Sequence, residues 1–232
     1  MHAVSVDGAA FGDDGFAITQ IRLAQNEVER RLPLTGQAIA YDCCSEDAPA
    51  TDPETGARTN AGSCNLHPQD KHCPARRLAK RVLQVAFGVG SNATQAGPTL
   101  ASARLSNVSG SLTVRLRLDN AEGLLLQPAK VCEKIKPYPL PGQSCCEVPG
   151  LLTLNATMSD GGRAWINGTV AVDGSDLIGT WKPPFIDQSG LPLSGTSIVI
   201  VHSVEYACAA VPKCAAVNSA GMPLPPLQIP LH

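Results

Sequence analysis

Residues 36–44 read GQAIAYDCC, residues 64–71 read CNLHPQDK, and residues 75–88 read ARRLAKRVLQVAFG. The first segment contains a short apolar run, residues 37–42, of the length typical of a buried parallel strand in an α/β domain. The last segment has the apolar period of an amphipathic helix. His67 lies between them, at the end of a long polar loop. Because catalytic loops leave the carboxyl ends of parallel strands, this layout predicts a functional histidine.

Two helices are predicted in this part of the chain. Residues 17–31 have an imperfect helical stripe that Pro33 and Gly36 end, and Arg22 on that helix is a candidate substrate-binding residue, although a solvated face is the default. The second helix begins either at Pro68, with a kink, or near His72, with a proline in its first turn. One side of it is apolar, and we expect its basic side to face solvent. That basic side comprises Arg76, Arg77, Lys80 and Arg81.

After residue 90 the pattern changes from helical to strand-like. Apolar residues alternate or run between Gly, Pro, Asn and Asp breaks, which predicts an all-β module, most simply a sandwich. The predicted strands are residues 112–118, 123–127, 151–158, 163–172 and 196–208. The Pro-rich tail SAGMPLPPLQIPLH is expected to lie extended on the surface. The chain therefore divides into an α/β part, residues 1–90, and a β module, residues 91–232.

Composition excludes some partners and favours an oxidising compartment. The net charge of −2 and pI near 6.2 give no electrostatic footprint for nucleic acid. Nine cysteines favour disulfides and a lysosomal, secreted or otherwise luminal location. Four N-x-[ST] glycosylation sequons point the same way. Their asparagines are Asn92, Asn107, Asn155 and Asn167. The disulfide candidates are Cys43, Cys44, Cys64, Cys73, Cys132, Cys145, Cys146, Cys208 and Cys214.

The N-terminal residues MHAVSVDGAAFGDDG do not read as a signal peptide, and no apolar run is long enough to span a bilayer. This conflict with a luminal location disappears if the chain begins inside a longer protein whose signal peptide lies upstream. The odd cysteine would then find its partner in that other part. One buried free thiol is the alternative.

Zinc ligation is a weaker alternative for the residues around the histidine. Cys64 and His67, with His72-Cys73 and Cys43-Cys44 nearby, supply the ligand types of a zinc site, but their spacings match no familiar finger. Disulfides are the preferred interpretation, and no metal or organic cofactor is expected.

The segment HPQDKHCPARRLAKRVLQVAFG, with IRLAQ upstream and AIAYDCCSED between them, resembles the closing portion of the sialate O-acetylesterases. A second resemblance to this family lies at the far end, in Val204-Glu205-Tyr206-Ala207, Pro212-Lys213-Cys214 and the closing Gly221-Met222-Pro223-Leu224-Pro225-Pro226. The family's Ser-Cys-Cys element is similar to Ser144-Cys145-Cys146. The similarity covers most of the chain in order, although the middle of the β module matches only in pattern.

This resemblance implies the C-terminal end of an SGNH-type α/β hydrolase domain followed by a β-sandwich module. The substrate implied is an O-acetylated sialic acid, and His67 maps onto the catalytic general acid/base. The family pattern has Asp three residues before the histidine, where this chain has Cys64. Asp42 and Asp47 are therefore candidates for the orienting carboxylate, with Asp42 preferred, and a backbone carbonyl is a third option.

The nucleophile of the family lies in a Gly-Gln-Ser-Asn turn far upstream of the histidine, in a region that this sequence does not contain. Gly142-Gln143-Ser144 spells most of that motif, but it follows the histidine and no helix follows it. The expected partner of this chain is therefore the N-terminal part of the same protein. The competing hypothesis is a glycosylated, disulfide-bonded binding or structural module without catalysis.

Overall fold

The computed structural model describes residues 16–43, 72–91, 96–108, 110–128, 146, 151–187, 192–193, 197–208 and 214–231. Two helices precede eleven strands, so the described part of the chain is mostly β-sheet. This confirms the all-β character predicted for the C-terminal part.

Both predicted helices form. Helix α1 spans Phe16–Arg31, and helix α2 spans His72–Phe87. Pro74 lies in the first described turn of α2, where its missing N–H has no helical acceptor to lose. Residues 68–71 lie outside the described residues, so the choice between the two predicted starts stays a prediction. Gly88 follows α2 with φ of 65°, and its N–H donates to Gln84 O at 2.9 Å. A left-handed glycine therefore ends the helix.

The predicted strand over residues 37–42 is wrong. Residues 38–41 are buried, as an interior strand would be, but this segment pairs with no described strand. It ends in a tight turn, in which the Cys43 N–H donates to Ala40 O at 3.1 Å. The Ile39 carbonyl accepts instead from the guanidinium of Arg77 on α2, at 2.7 Å. The apolar run is thus buried as predicted, but the Ile39 carbonyl is satisfied by a side chain and not by a neighbouring strand.

Eleven strands build the described part of the β module. Their bounds are β1 (Thr99–Val108), β2 (Ser111–Asp119), β3 (Leu125–Pro128), β4 (Leu152–Met158), β5 (Arg163–Asn167), β6 (Thr169–Asp173), β7 (Asp176–Trp181), β8 (Ile186–Asp187), β9 (Ile198–Tyr206), β10 (Cys214–Val217) and β11 (Leu227–Pro230). One sheet has the order β1-β2-β7-β6, a second has the order β11-β9-β4-β5-β8, and β10 pairs with β3. Every pairing between these strands is antiparallel.

The two larger sheets share one hydrophobic core, as a sandwich requires. Alternate residues of β2 are buried. The apolar residues of β4 are buried as well, at Leu152, Leu154, Ala156 and Met158. Trp181 of β7 is completely enclosed, and its indole N–H donates to Ile166 O of the other sheet at 2.9 Å. The indole therefore joins the two layers through both packing and a hydrogen bond.

The predicted strand over residues 163–172 is divided in two. Gly168 separates β5, which belongs to the five-stranded sheet, from β6, which belongs to the four-stranded sheet. A Cβ built on Gly168 would lie 2.5 Å from Trp181 Cε2. The chain therefore passes from one sheet to the other at a glycine, because a residue without a side chain lets the indole pack against the backbone.

We expect Gly168→Ala to lower the free energy of unfolding by about 1–3 kcal/mol, because the added methyl group overpacks a ring that cannot move. Urea denaturation followed by tryptophan fluorescence measures this. Gly162→Ala is the matched control, since its Cβ would meet only the exposed Asp160 carboxylate, at 3.0 Å. Equal stability of the two variants would contradict the role assigned to Gly168.

The C-terminal tail is not a surface appendage, so that prediction is also wrong. Leu224 is completely buried, and β11 pairs with β9 at the edge of the five-stranded sheet. The Leu224 N–H donates to Ala216 O at 2.8 Å. Prolines fit here because an edge strand has one side without ladder hydrogen bonds.

Candidate active site at the seam between the helices and the β module

An ion pair between Asp42 and Arg77 joins α2 to the segment that precedes Cys43. It lies beside Gly221 in the C-terminal part of the chain. The Arg77 Nη1 and Nη2 atoms donate to the two carboxylate oxygens at 2.6 and 2.8 Å. Arg77 Nη1 also donates to Ile39 O, and Nη2 donates to Gly221 O at 3.2 Å. The two side chains are only 11% and 10% exposed. A bidentate pair of this kind fixes orientation as well as charge.

Asp42 was the preferred candidate for the orienting carboxylate. The structure gives it a different first partner, because both of its oxygens accept from Arg77. A carboxylate has about four lone-pair sites, so each oxygen retains one acceptor direction. His67 and Asp47 lie outside the described residues, and the contact between Asp42 and His67 therefore stays a prediction.

A disulfide closes the segment that carries His67. Cys43 and Cys73 are bonded, with their Cα atoms 5.6 Å apart. This agrees with the disulfides expected among the first four cysteines, of which Cys44 and Cys64 lie outside the described residues. The bond also removes two thiolates from the zinc alternative. Within the described residues no group of three metal-ligating side chains exists.

A buried hydroxyl network lies beside the ion pair. The Tyr41 hydroxyl donates to Leu224 O at 2.9 Å and lies 3.0 Å from the Tyr206 hydroxyl. Tyr206 in turn accepts from the Ala216 N–H at 2.7 Å. Burial raises the pKa of both phenols well above their usual value, so both stay neutral at physiological pH. The Tyr41 side chain thus bonds the segment 38–41 to two parts of the β module, Tyr206 and Leu224.

Arg22 is completely buried, so the expectation of a solvated face is wrong for this residue. Burial lowers the pKa of its guanidinium to about 10, and the nearby Tyr41 and Cys208 oppose that shift. Burial raises the pKa of the Cys208 thiol. In this position the Arg22 guanidinium packs inside the protein, where a substrate in solvent does not reach it. Burial of this side chain argues against substrate binding by Arg22.

The basic side of α2 is divided between solvent and interior, which corrects the expectation that all of it faces solvent. Arg76 is exposed, and Lys80 is partly exposed. Arg81, however, is buried and forms an ion pair with Glu29 of α1, while Arg77 pairs with Asp42. Burial lowers the pKa of Arg81. Sequence reasoning missed both pairs, although the spacing of four between the two arginines places them on one helix face.

Two disulfides lie within the described residues. The second joins Cys146 to Cys214, the first residue of β10. Cys208 is not in a disulfide, and its thiol lies 3.3 Å from Leu227 O. Cys132 and Cys145 lie outside the described residues. Disulfides are typical of an oxidising compartment.

Three of the four sequon asparagines lie within the described residues, and they differ in access. Asn107 on the edge strand β1 is exposed. Asn167 is partly exposed, and its Nδ2 donates to Asp187 O at 2.7 Å. Asn155 is buried in the centre of a sheet, where its Oδ1 accepts from Arg163. Asn92 lies outside the described residues.

We expect the chain secreted from eukaryotic cells to have a glycan on Asn107 and none on Asn155, because Nδ2 must be accessible to carry the sugar. Glycopeptide mass spectrometry after endoglycosidase treatment in heavy-oxygen water measures the occupancy of each site. Asn107→Gln is then expected to remove one glycan mass, and Asn155→Gln to remove none. Full occupancy of Asn155 would contradict the packing of β4.

The comparisons with known proteins identify no family. The sequence matches no protein-family model, and no curated protein shows significant similarity to it. Among the described residues, neither helix is long and apolar enough to cross a bilayer.

Proposed function

We propose that the chain is part of a carboxylic ester hydrolase that removes O-acetyl groups from sialic acids through an acyl-serine intermediate. One contact carries this proposal. The two segments that independently resemble the closing portions of the sialate O-acetylesterases meet in the structure, because Arg77 of the first donates to Gly221 O of the second. Two segments that resemble the same family and also touch in the fold support the proposal more strongly than either segment alone.

In this proposal His67 supplies the acid/base chemistry. It takes the proton from a serine hydroxyl as the serine oxygen attacks the acetyl carbonyl carbon. The bond from that carbon to the sugar oxygen then breaks, and the imidazolium returns the proton to the sugar. Water, deprotonated by the same imidazole, attacks the acyl-serine, and acetate leaves as the serine regains its proton. Asp42 is the tentative partner that orients the imidazole.

The Cys43–Cys73 disulfide and the Asp42–Arg77 ion pair support this role, because they fix the chain before and after His67. The Cys43–Cys73 disulfide holds the residue after Asp42 close to the residue six positions after His67. Arg77 locks Asp42 against α2 through two hydrogen bonds. A catalytic histidine on a loop needs such fixed flanks, since small displacements of a catalytic group cost large factors in rate.

A lysosomal or secreted location belongs to the same proposal. The two disulfides and the exposed Asn107 sequon support it. A glycosylated binding or structural module is the second candidate. It is favoured by the engagement of Asp42, Arg77 and Arg81 in ion pairs, which are structural uses of charge.

We expect the 232-residue chain alone to show no turnover of an aryl acetate, because the proposed serine lies outside it. Added to the serine-bearing part of the protein, the same chain is expected to restore hydrolysis. Release of the chromophore, followed spectrophotometrically, measures both. Turnover by the isolated chain that His67→Ala abolishes would show that the nucleophile is within these residues. Failure of the reconstituted protein to hydrolyse the ester would leave the binding module as the function.

A further inference from the structure

The Arg77 guanidinium contacts one sulfur of the Cys43–Cys73 disulfide. Besides its hydrogen bonds to Asp42 and to Ile39 O, Arg77 Nη1 donates to Cys43 Sγ at 3.3 Å. A neutral sulfur is a weak acceptor, whereas hydrogen bonds to a charged acceptor are about twice as strong as neutral ones. The contact therefore gains strength when the disulfide opens and Cys43 becomes a thiolate. The neighbouring Asp42 carboxylate opposes that charge, but the same guanidinium already neutralises it.

The other sulfur of this disulfide belongs to a half-buried residue at the start of a helix. Cys73 is the second residue of α2 and is partly exposed, whereas Cys43 is only 4% exposed. Because Cys73 is the more accessible of the two, a thiol from solvent reaches the disulfide there, and Cys43 beside the guanidinium is the leaving group. The partial positive charge of the helix start favours a thiolate at Cys73 as well.

The Cys146–Cys214 disulfide has different surroundings. Its two residues are 8% and 2% exposed, and both belong to the hydrophobic core that the two sheets share. Apolar surroundings disfavour a thiolate, because the charge loses its hydration there. The two disulfides of the described residues therefore differ both in their access to solvent and in the stability of the thiolates that reduction would leave.

The segments that the Cys43–Cys73 disulfide joins are also joined without it. Arg77, about one helical turn after Cys73, binds both carboxylate oxygens of Asp42 and donates to Ile39 O. These hydrogen bonds hold the start of α2 against the segment that precedes Cys43, so the two thiols stay close together after reduction. The disulfide can therefore open and close again in the folded protein.

We propose that Cys43–Cys73 is a redox-active disulfide that a dithiol reduces and the corresponding oxidised dithiol re-forms. One thiolate of the dithiol attacks Cys73 Sγ, the bond to Cys43 Sγ breaks, and its electron pair remains on Cys43 as a thiolate. The second thiolate then attacks the dithiol's own sulfur in this mixed disulfide, and Cys73 leaves as a thiolate. Two electrons thus enter the protein, the dithiol leaves as a disulfide, and its two protons pass to the cysteines or to solvent. This reaction is independent of the proposed esterase activity.

Equilibration of the oxidised chain with mixtures of reduced and oxidised dithiothreitol at neutral pH tests the proposal. After an acid quench, free thiols are alkylated with light maleimide and the remaining cysteines are reduced and alkylated with heavy maleimide. Peptide mass spectrometry with fragmentation then gives the reduced fraction of each cysteine. We expect Cys43–Cys73 to be half reduced at a ratio of reduced to oxidised dithiothreitol at least about tenfold lower than Cys146–Cys214. Tryptophan fluorescence is expected to stay native at that ratio, because the core around Trp181 is intact.

Arg77→Lys keeps a positive charge for Asp42 but removes the planar fork that also reaches the sulfur. We expect the dithiothreitol ratio at half reduction of Cys43–Cys73 to rise at least about threefold in this variant. It is expected to stay unchanged in Arg76→Lys, the matched control at the exposed neighbouring position. A merely structural role of Arg77 would act in the opposite direction, since a loosened fold makes the bond easier to reduce.

Three results would overturn the proposal. They are reduction of both disulfides at the same ratio, loss of the native fluorescence as Cys43–Cys73 opens, and a bond in Arg77→Lys that is unchanged or more easily reduced. If the Arg77→Lys chain does not fold, the comparison of the two disulfides in the parent chain decides.

Discussion

Replacing His67 by alanine is expected to lower kcat/KM of the assembled protein for an aryl acetate by about 10⁴-fold. In the proposed mechanism no other group takes the proton from the serine, so the nucleophile would attack as an un-ionised hydroxyl. The residual rate would come from the remaining contacts to the bound ester and its developing oxyanion. Initial rates at several substrate concentrations, with and without the substitution, measure the loss.

His202→Ala is the control for this substitution. His202 lies on β9, with its Nε2 2.8 Å from the Thr157 hydroxyl, and it belongs to no part of the proposed site. We expect its kcat/KM to stay within about twofold of the parent protein. If both histidine variants lost the same activity, a general effect on folding would explain the result and His67 would have no assigned role.

Arg77→Met is expected to lower the free energy of unfolding by about 3–5 kcal/mol. The substitution keeps an unbranched apolar stem but leaves the Asp42 carboxylate without its bidentate donor. It also removes the donor to Ile39 O and Gly221 O. A buried charge without a partner costs far more than an ion pair contributes, which is why the expected effect is large. Urea denaturation of the oxidised chain measures it.

Arg76→Met, one residue away on the exposed side of α2, is the matched control for Arg77→Met. Surface substitutions usually change stability by less than about 0.5 kcal/mol. We expect Asp42→Asn combined with Arg77→Met to cost less than the sum of the single variants, because the pair then loses both charges together. Additive losses, or equal effects of the two arginine variants, would contradict the buried pair.

The strands of the β module could be predicted from the sequence where one face of the strand is buried and the other faces solvent. β2 shows why, since Leu112, Val114, Leu116 and Leu118 alternate with polar residues and pack into the shared core. β1 lacks such a pattern because most of its residues are exposed on an edge strand, and it was missed. β7 was missed as well, although it pairs with β6 directly before it through the two-residue turn at residues 174–175. β10 and β11 were also missed, because their partners β3 and β9 are separated from them in the chain and local periodicity does not contain such pairings.

The orientation of the helices could not be read from sequence. The predicted end of α2 at Gly88 is correct, but the rule that apolar faces are buried failed. The interior that this part of the chain offers is polar: Asp42, Glu29 and the carbonyls of residues 39 and 221 need donors. Arginines satisfy those acceptors, and the apolar stripe is left outside.

Only part of the candidate site could be predicted from the sequence. Asp42 was selected because it follows a buried run, and it does lie at a buried ion pair. Its partner Arg77 is 35 residues away in the chain, and its pairing was not predicted. Tyr41 was read only as part of the apolar run, although its hydroxyl connects the segment to Tyr206 and Leu224. Such contacts follow from tertiary packing, and a single sequence carries no local signal for them.

The most direct test of the proposed function is release of acetate from an O-acetylated sialic acid by the assembled protein. The account predicts one acetate released per O-acetyl group, with the N-acetyl group retained. It also predicts that His67→Ala stops the release and His202→Ala does not. Mass spectrometry of the sugar product together with an enzymatic assay of acetate measures both. A sugar that keeps its O-acetyl group in the presence of the assembled parent protein would contradict the account.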